Sequence, residues 1–227
     1  MRLDKILASR GGYGRKEATQ MIRRGRVLVN AAQCRSPKQH FPEDCELKVD
    51  GFEIPPIYPL YLYHKPRGLV STMEDEWGRE CVGNIVPVHY HIVGRLDKDT
   101  RGLLLFSRDG KLTQYLLHPK RGIEREYIAT VEGAPDETLA ETVGRGVETS
   151  VGLAKGTIIS IDGAQIRLIM TEGRNRVVRR MLNNAGYPVQ DLFRVRFGPF
   201  ELGDLEEGER KAITIKELEQ LDIMLEK

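Results

Sequence analysis

Apolar residues recur along this chain in two rhythms. Near the start, Leu3, Ile6 and Leu7 fall at i, i+3 and i+4, and Ala18, Met21 and Ile22 repeat the spacing within residues 15–24. That period places one apolar stripe on each of two helices. Gly11-Gly12-Tyr13-Gly14 joins them, and Gly25 stands where a helix C-terminus favours a left-handed residue. The rhythm then shortens to two at residues 26–30 and 46–49, as in strands. Two helices and a small sheet bury only a small core, so residues 1–50 read as an appended α/β module. Pro55, Pro56 and Pro59 then interrupt the chain, and residues 51–59 read as a linker.

From residue 60 the pattern is richer in strands. Residues 60–65 alternate, Pro66-Arg67-Gly68 is a turn, and 69–72 is a second short strand. A polar loop at 73–80 is expected to pack Trp77. Residues 125–131 form a strand with Tyr127, Ala129 and Val131 on one face; further strands are predicted at 156–161, 165–170 and 192–200. Helical spacing predicts helices over 111–117, 136–143 and 174–185, the last stopped by Gly186 and Pro188. A C-terminal helix over 214–226 places Ile215, Leu218, Leu221 and Leu225 near one side. Strands interleaved with few helices, without regular βαβ alternation, predict an α+β domain over 60–227 with a largely antiparallel, mixed sheet.

One stretch breaks both rhythms. After Val93 come Gly94-Arg95-Leu96-Asp97-Lys98-Asp99-Thr100-Arg101-Gly102, and then the unbroken apolar run Leu103-Leu104-Leu105-Phe106. Such a run belongs in a core, so the charged knot before it is pinned to a buried element. Taken alone it reads as a solvated turn with an ion pair. A partner elsewhere in the chain would make it a carboxylate held beside a pocket.

Charge supplies a reason to look for that partner. The net charge of +2 hides two basic blocks. Residues 1–38 hold ten Lys/Arg against Asp4 and Glu17, a net of +8, and residues 171–196 hold six Arg against Glu172 and Asp191, a net of +4. Residues 201–227 are acidic, at −5. Basic blocks of this kind suit a phosphate backbone. Arg15, Lys16, Arg23, Arg24 and Arg26 make the first a candidate phosphate-binding face. The apolar runs fall short of a membrane span, and the first residues do not read as a signal peptide. Cys34, Cys45 and Cys81 lack CxxC spacing and read as reduced thiols of a cytoplasmic protein. His89 and His91 have no third ligand at a usual spacing, so no metal site is expected. Without a phosphate loop, a GxSxG or a dinucleotide fingerprint, the chemistry is expected to need neither cofactor nor nucleotide.

The helix at 174–185 carries the partner. Val177, Val178, Met181 and Leu182 share one face, and Arg176, Arg179, Arg180 and Asn183 the opposite one. Arg179 borders the apolar face, where a guanidinium can reach from the core edge into a pocket. Its fork would keep a carboxylate ionised and oriented, and Asp97 is the expected partner. Arg176 and Arg180 are read as phosphate contacts.

Two resemblances follow. Arg2-Leu3-Asp4-Lys5, Arg15-Lys16-Glu17-Ala18 and Gly25 through Asn30 resemble the S4 RNA-binding domain, with Gly14 where a capping Ser is usual and Ala31 where a Gly is common. The turn Lys65-Pro66-x-Gly68, Gly94-Arg95-Leu96-Asp97, Arg125-Glu126-Tyr127 and Gly173-Arg174-Asn175-Arg176 through Arg179-Arg180-Met181 resemble the RsuA/RluB/RluE/RluF family of ribosomal RNA pseudouridine synthases. The resemblance implies an S4-like domain at 1–50 and a catalytic domain at 60–227. It implies that Asp97 is the nucleophile attacking a uridine, with attack on ring or sugar both open. Tyr127 would pack on the uracil and is a candidate to help remove the C5 proton; a plain core aromatic is its other reading. Arg179 would be the basic partner of the aspartate. Arg95 and Lys65 would lie near the flipped nucleotide. Val177 stands where a Gln is frequent and Arg101 where a small or acidic residue is. The implied partner is ribosomal RNA or a ribosome-assembly particle, with the large subunit slightly favoured, and the implied state is a monomer. A catalytically weak RNA-binding assembly factor on the same fold is the alternative.

Overall fold

The computed structural model describes residues 1–87 and 89–221. The chain divides into two compact units, Met1–Tyr58 and Pro59–Lys227.

In the first unit, helices α1 (Leu3–Gly11) and α2 (Arg15–Arg23) pack on a four-stranded sheet. Its strands are β1 (Val27–Val29), β2 (Ala32–Gln33), β3 (Leu47–Val49) and β4 (Phe52–Glu53), in the order β2-β1-β3-β4. The expected stripes are the core: Leu3, Ile6, Leu7, Ala18, Met21 and Ile22 are all buried. Gly25 takes φ 74°, the left-handed turn that ends α2. β4 falls within residues read as linker, because Val49 and Phe52 pair across a tight turn at Asp50-Gly51.

The second unit is built on a nine-stranded sheet. Its strands are β5 (Leu60–Lys65), β6 (His91–Val93), β7 (Arg101–Ser107), β8 (Arg125–Val131), β9 (Thr157–Asp162), β10 (Gln165–Met170), β11 (Val189–Phe197), β12 (Phe200–Glu201) and β13 (Arg210–Ile213). The main path runs β13-β5-β7-β11-β8-β10-β9, with β6 on β7 and β12 on β11. Pairing is antiparallel except between β7 and β11. The helices are α3 (Gly110–Leu117), α4 (Thr138–Arg145), α5 (Val177–Asn184) and α6 (Ile215–Gln220).

Both faces of the sheet are covered, which explains the unbroken apolar run. Leu104 and Phe106 join the core beneath α4 and α5, while Leu103 and Leu105 join a second core with Leu112, Leu116 and Leu218. A strand buried on both sides has no reason to alternate. This rigid strand, β7, carries the charged knot at its start.

Several expectations need correcting. The helix expected over 174–185 starts at Val177, because Arg176 has φ 52° and leaves Arg174-Asn175-Arg176 as a turn. Trp77 is 80% exposed rather than packed. β13 had no sequence-level expectation. The expected C-terminal helix is seen as α6, opened by a Thr214–Glu217 capping box. Leu218 is buried while Ile215 and Leu221 are exposed, and Leu225 lies outside the described residues.

Candidate active site

The loop from Gly94 to Thr100 joins β6 to β7, and almost every backbone turn in it is tied down. The Ser71 hydroxyl donates to Leu96 O at 2.8 Å and accepts from Leu96 N at 3.2 Å. Gly68 N donates to Lys98 O at 2.8 Å, and Thr100 N to Asp97 O at 3.0 Å. At the far end Gly102 adopts φ 111°, and a Cβ there would sit 2.3 Å from Arg194 O. Only glycine permits β11 to lie so close to the loop. Arg101 and Arg67 both hold the carboxylate of Asp191 on β11. Burial acts to raise that carboxyl, but the hydrogen bonds from Arg101 and Arg67 outweigh it and hold it below the usual range.

The loop opens onto a cleft of about 490 Å³, a size suited to a small ligand. Asp97, Tyr127 and Arg95 all line it, as does Arg176. Asp97 is half-buried, and its carboxylate makes no hydrogen bond or ion pair among the described residues. Its charge acts through space on Lys65, Arg176 and Arg179. Tyr127 is 8% exposed on β8, with Leu168 and Arg194 as its cross-strand neighbours. An unpaired carboxylate and a buried aromatic lining one cleft, with arginines along it, can hold a planar polar ring against Tyr127 with Asp97 at hand.

The partner of Arg179 differs from the expected one. Its Nη2 donates to Asp99 O at 2.8 Å, its Nη1 to Val189 O at 3.0 Å, and its Nε lies 3.4 Å from Asp99 Oδ2. Arg176 grips the Asp99 carboxylate bidentately at 2.9 and 2.8 Å. Asp97 and Asp99 are two residues apart in a turn, and the turn directs the second toward α5. The hydrogen bond from Arg176 lowers the Asp99 carboxyl, against a smaller opposing effect of burial, with Arg179 adding to the lowering. Arg179 itself is buried, and that burial lowers its guanidinium.

Lys65 also needs correction. It is fully buried, and its ammonium donates to Pro66 O at 2.7 Å and Leu69 O at 2.9 Å. A side chain with no exposed surface cannot reach RNA. It braces the turn that holds Lys98, and burial drives its pKa down to about 8 against the pull of Asp99 and Asp97. Arg180 lies off the cleft in a second polar hollow with Arg176 and Arg179, donating to Asn175 O at 3.1 Å. In the first unit Arg15, Lys16 and Arg23 are exposed on α2, and Arg24 at its C-cap. Arg26 is exposed but engaged by Asp50, with Nε 2.9 Å from Oδ1.

Two buried cations of the cleft have no role in the sequence reading: Arg125, quoted there only as part of a motif, and Arg194, 9% and 2% exposed. A usable signal existed for the first, since Arg125 shares a strand face with Tyr127. Burial lowers the Arg125 pKa, Tyr127 opposes this, and the charge of Arg194 adds to it. Among the described residues, no cluster of three or more His, Cys, Asp or Glu could hold a metal.

Residues 59–184 match the RNA pseudouridylate synthase family, and residues 1–43 match the S4 domain. The chain belongs to the RNA pseudouridylate synthase family. It is 38% identical over 236 residues to an uncharacterized RNA pseudouridine synthase of Mycobacterium leprae, covering 97% of this chain and 92% of that one. It is 34% identical over 231 residues to the ribosomal large subunit pseudouridine synthase B of Bacillus subtilis, covering 97% and 95%. A crystal structure of a pseudouridylate synthase superposes with a TM-score of 0.66 at 27% identity, covering 97% of this chain and 99% of that one. The synthase is thus an isomerase of RNA uridines with an S4 domain at its N-terminus. Among its described residues no helix is long and apolar enough to cross a membrane.

Proposed function

We propose that this synthase isomerises one uridine of ribosomal RNA, in the large subunit, with Asp97 as nucleophile. The observation that carries this reading is that Asp97 and Tyr127, from different elements, line one cleft. A base in paired or stacked RNA must first be turned out, at a cost of roughly a few kcal/mol. Stacking on Tyr127 offsets about 1–3 kcal/mol of that. Arg95, exposed at the rim, is placed to meet the vacated stack. Arg176 lines the cleft beside the adjoining phosphates, with its charge shared with Asp99. Arg179 acts through the backbone of Asp99 to fix the loop that presents Asp97. Arg15, Lys16, Arg23 and Arg24 supply the sequence-independent grip on the phosphate backbone. Arg26 and Arg180 contribute less, since each already has internal partners. The Bacillus subtilis relative, named for the large subunit, supports that choice of RNA. We place the enzyme in the cytoplasm, acting as a monomer on ribosomal RNA or an assembly particle.

The test is to delete the gene in the source organism and map pseudouridine across both ribosomal RNAs. Loss of one large-subunit site, restored by the wild-type gene, is expected. Loss confined to small-subunit RNA would move the substrate. Retention of every site would favour a binding role in ribosome assembly.

A further inference from the structure

Among the described residues, two cations of the cleft have no counter-ion. Arg125 and Arg194 are both at least nine-tenths buried, and both line it. Among the described residues their polar partners are carbonyls, and both meet one ring. Arg125 Nη1 donates to Ile123 O at 3.0 Å and Thr171 O at 3.4 Å, and Arg194 Nε to Leu103 O at 2.8 Å. Both guanidiniums lie over the Phe197 ring, at 4.7 and 5.0 Å. Among the described residues Arg194 Nη2 is buried without a partner, and so is the hydroxyl of Thr100, another residue of the cleft wall.

This arrangement is costly. A buried guanidinium ordinarily requires a carboxylate. Arg101, Arg176 and Arg196 each have one, although all three are more exposed. The strand register explains the placement. Arg194 of β11 and Tyr127 of β8 are direct cross-strand partners, so their side chains share a face. Arg125 lies two residues before Tyr127 and shares that face too. The two cations therefore flank the aromatic wall of the cleft.

We propose that Arg194 and Arg125 form the anion hole for the uracil ring as it separates from the ribose. The inference rests on the uridine-isomerising reading of the cleft. In the sugar route a carboxylate oxygen of Asp97 bonds to C1′, the C1′–N1 bond breaks, and its electron pair leaves with the ring. The detached ring is a uracil anion with charge on N1 and the two carbonyl oxygens. C5 then displaces the carboxylate from C1′, the C5 proton passes to a base, and N1 takes up a proton, leaving an isomer of the substrate. In the ring route the addition itself pushes an electron pair toward the C4 carbonyl oxygen. Either way negative charge grows on carbonyl oxygens beside Tyr127, where preorganised donors have their greatest effect. Thr100 offers a third, neutral donor.

The test compares wild type, Arg194→Met, Arg194→Lys and Arg125→Gln on an RNA fragment carrying the mapped uridine. Single-turnover rates at saturating enzyme and RNA affinities across a salt series are both measured. Arg194→Met is expected to lose about 100-fold or more in rate, as for one oxyanion donor. Affinity should stay within about threefold with an unchanged salt slope, and Arg194→Lys should recover part of the rate. A fragment with 5-fluorouridine, whose detached ring is a more stable anion, should narrow the deficit in C1′–N1 cleavage. Should Arg194→Met fail to fold by circular dichroism, Arg194→Lys and Arg125→Gln carry the same comparison. Folded variants with rates within about threefold of wild type would overturn the proposal. So would a loss confined to affinity, with the salt slope reduced by about one, which marks a phosphate contact. A wild type that makes no pseudouridine would overturn the uridine reading, and this inference with it.

Discussion

Arg179 Nη2 donates to the backbone carbonyl of Asp99 over 2.8 Å while Nη1 of the same guanidinium donates to Val189 O over 3.0 Å. One side chain thus joins α5, the loop that presents Asp97 and the start of β11. Because the accepting group is a carbonyl, the grip depends on the shape of the fork as much as on its charge. Arg179→Lys keeps the charge but cannot span both carbonyls. It is expected to lower the single-turnover rate by about tenfold or more, as misplacement of a reacting group does, with RNA affinity nearly unchanged. Rates and filter-binding affinities on the same RNA check this, and a pure affinity defect would contradict it.

The Asp99 carboxylate is a different matter. Its partner Arg176 is largely exposed, and exposed pairs contribute about 0–1 kcal/mol. Asp99→Asn keeps the carbonyl that Arg179 holds. It should therefore melt within a few degrees of wild type at neutral pH, whereas Arg179→Ala, which leaves two part-buried carbonyls unsatisfied and opens a hole at a buried side chain, should cost about 2–4 kcal/mol. The Asp99 carboxyl is lowered on folding, so its small contribution is present above the unfolded pKa and is lost as pH falls through the folded one. Urea melts from pH 7 to pH 3 measure that difference.

Much of the architecture was legible because it follows from periodicity. The helical stripes of α1 and α2 and the strands β7, β8 and β10 are set by residues whose burial leaves few options. The same run, Leu103–Phe106, correctly marked the charged knot as anchored. What was not legible depends on geometry between distant segments. Nothing in the spacing distinguishes Asp97 from Asp99 as the partner of Arg179. Arg176 looks like a good helix former, yet it sits at φ 52° and delays α5. β13 is hidden because Arg210 and Lys211 are exposed on an edge strand, where pairing with β5 rather than burial holds it. Arg125 is only part of a strand motif and Arg194 only one of six arginines in a basic block until the sheet order places both beside Tyr127.

Lys65 makes a prediction in the alkaline range. Its folded pKa is lowered to about 8, below the value of an unfolded lysine. Between those values the unfolded chain binds more protons, so this group makes stability rise with pH from about 8 upward; below that both states are protonated and the cost of burying the charge is constant. Relative to Lys65→Met, wild type should gain on the order of 2 kcal/mol between pH 7 and pH 10. Parallel stability profiles for the two proteins would contradict the burial of a charged amine.

Asp191 clasps Arg67 of the turn and Arg101 of the loop end. Asp191→Ala releases both, and is expected to cost about 1–2 kcal/mol. Its carboxyl is lowered on folding, so the stabilisation is complete above the unfolded carboxylate range and disappears as pH falls through the folded pKa. A wild-type advantage that narrows on acidification, followed by chemical denaturation, is the expected signature.

Replacing Arg15, Lys16, Arg23 and Arg24 together by Ala should weaken RNA binding and flatten its salt dependence by about three in slope. The rate at saturating RNA should stay within about twofold, since these residues lie outside the catalytic unit. An unchanged salt slope would remove α2 from the RNA interface.

The central claim is that a single carboxylate carries the chemistry. Purified Asp97→Asn, incubated at saturating concentration with RNA containing the mapped uridine, tests it most directly by nucleoside mass spectrometry. No pseudouridine is expected over many wild-type half-times, from a folded protein that binds the RNA within about threefold of wild type. Pseudouridine formed by Asp97→Asn at close to the wild-type rate would contradict it.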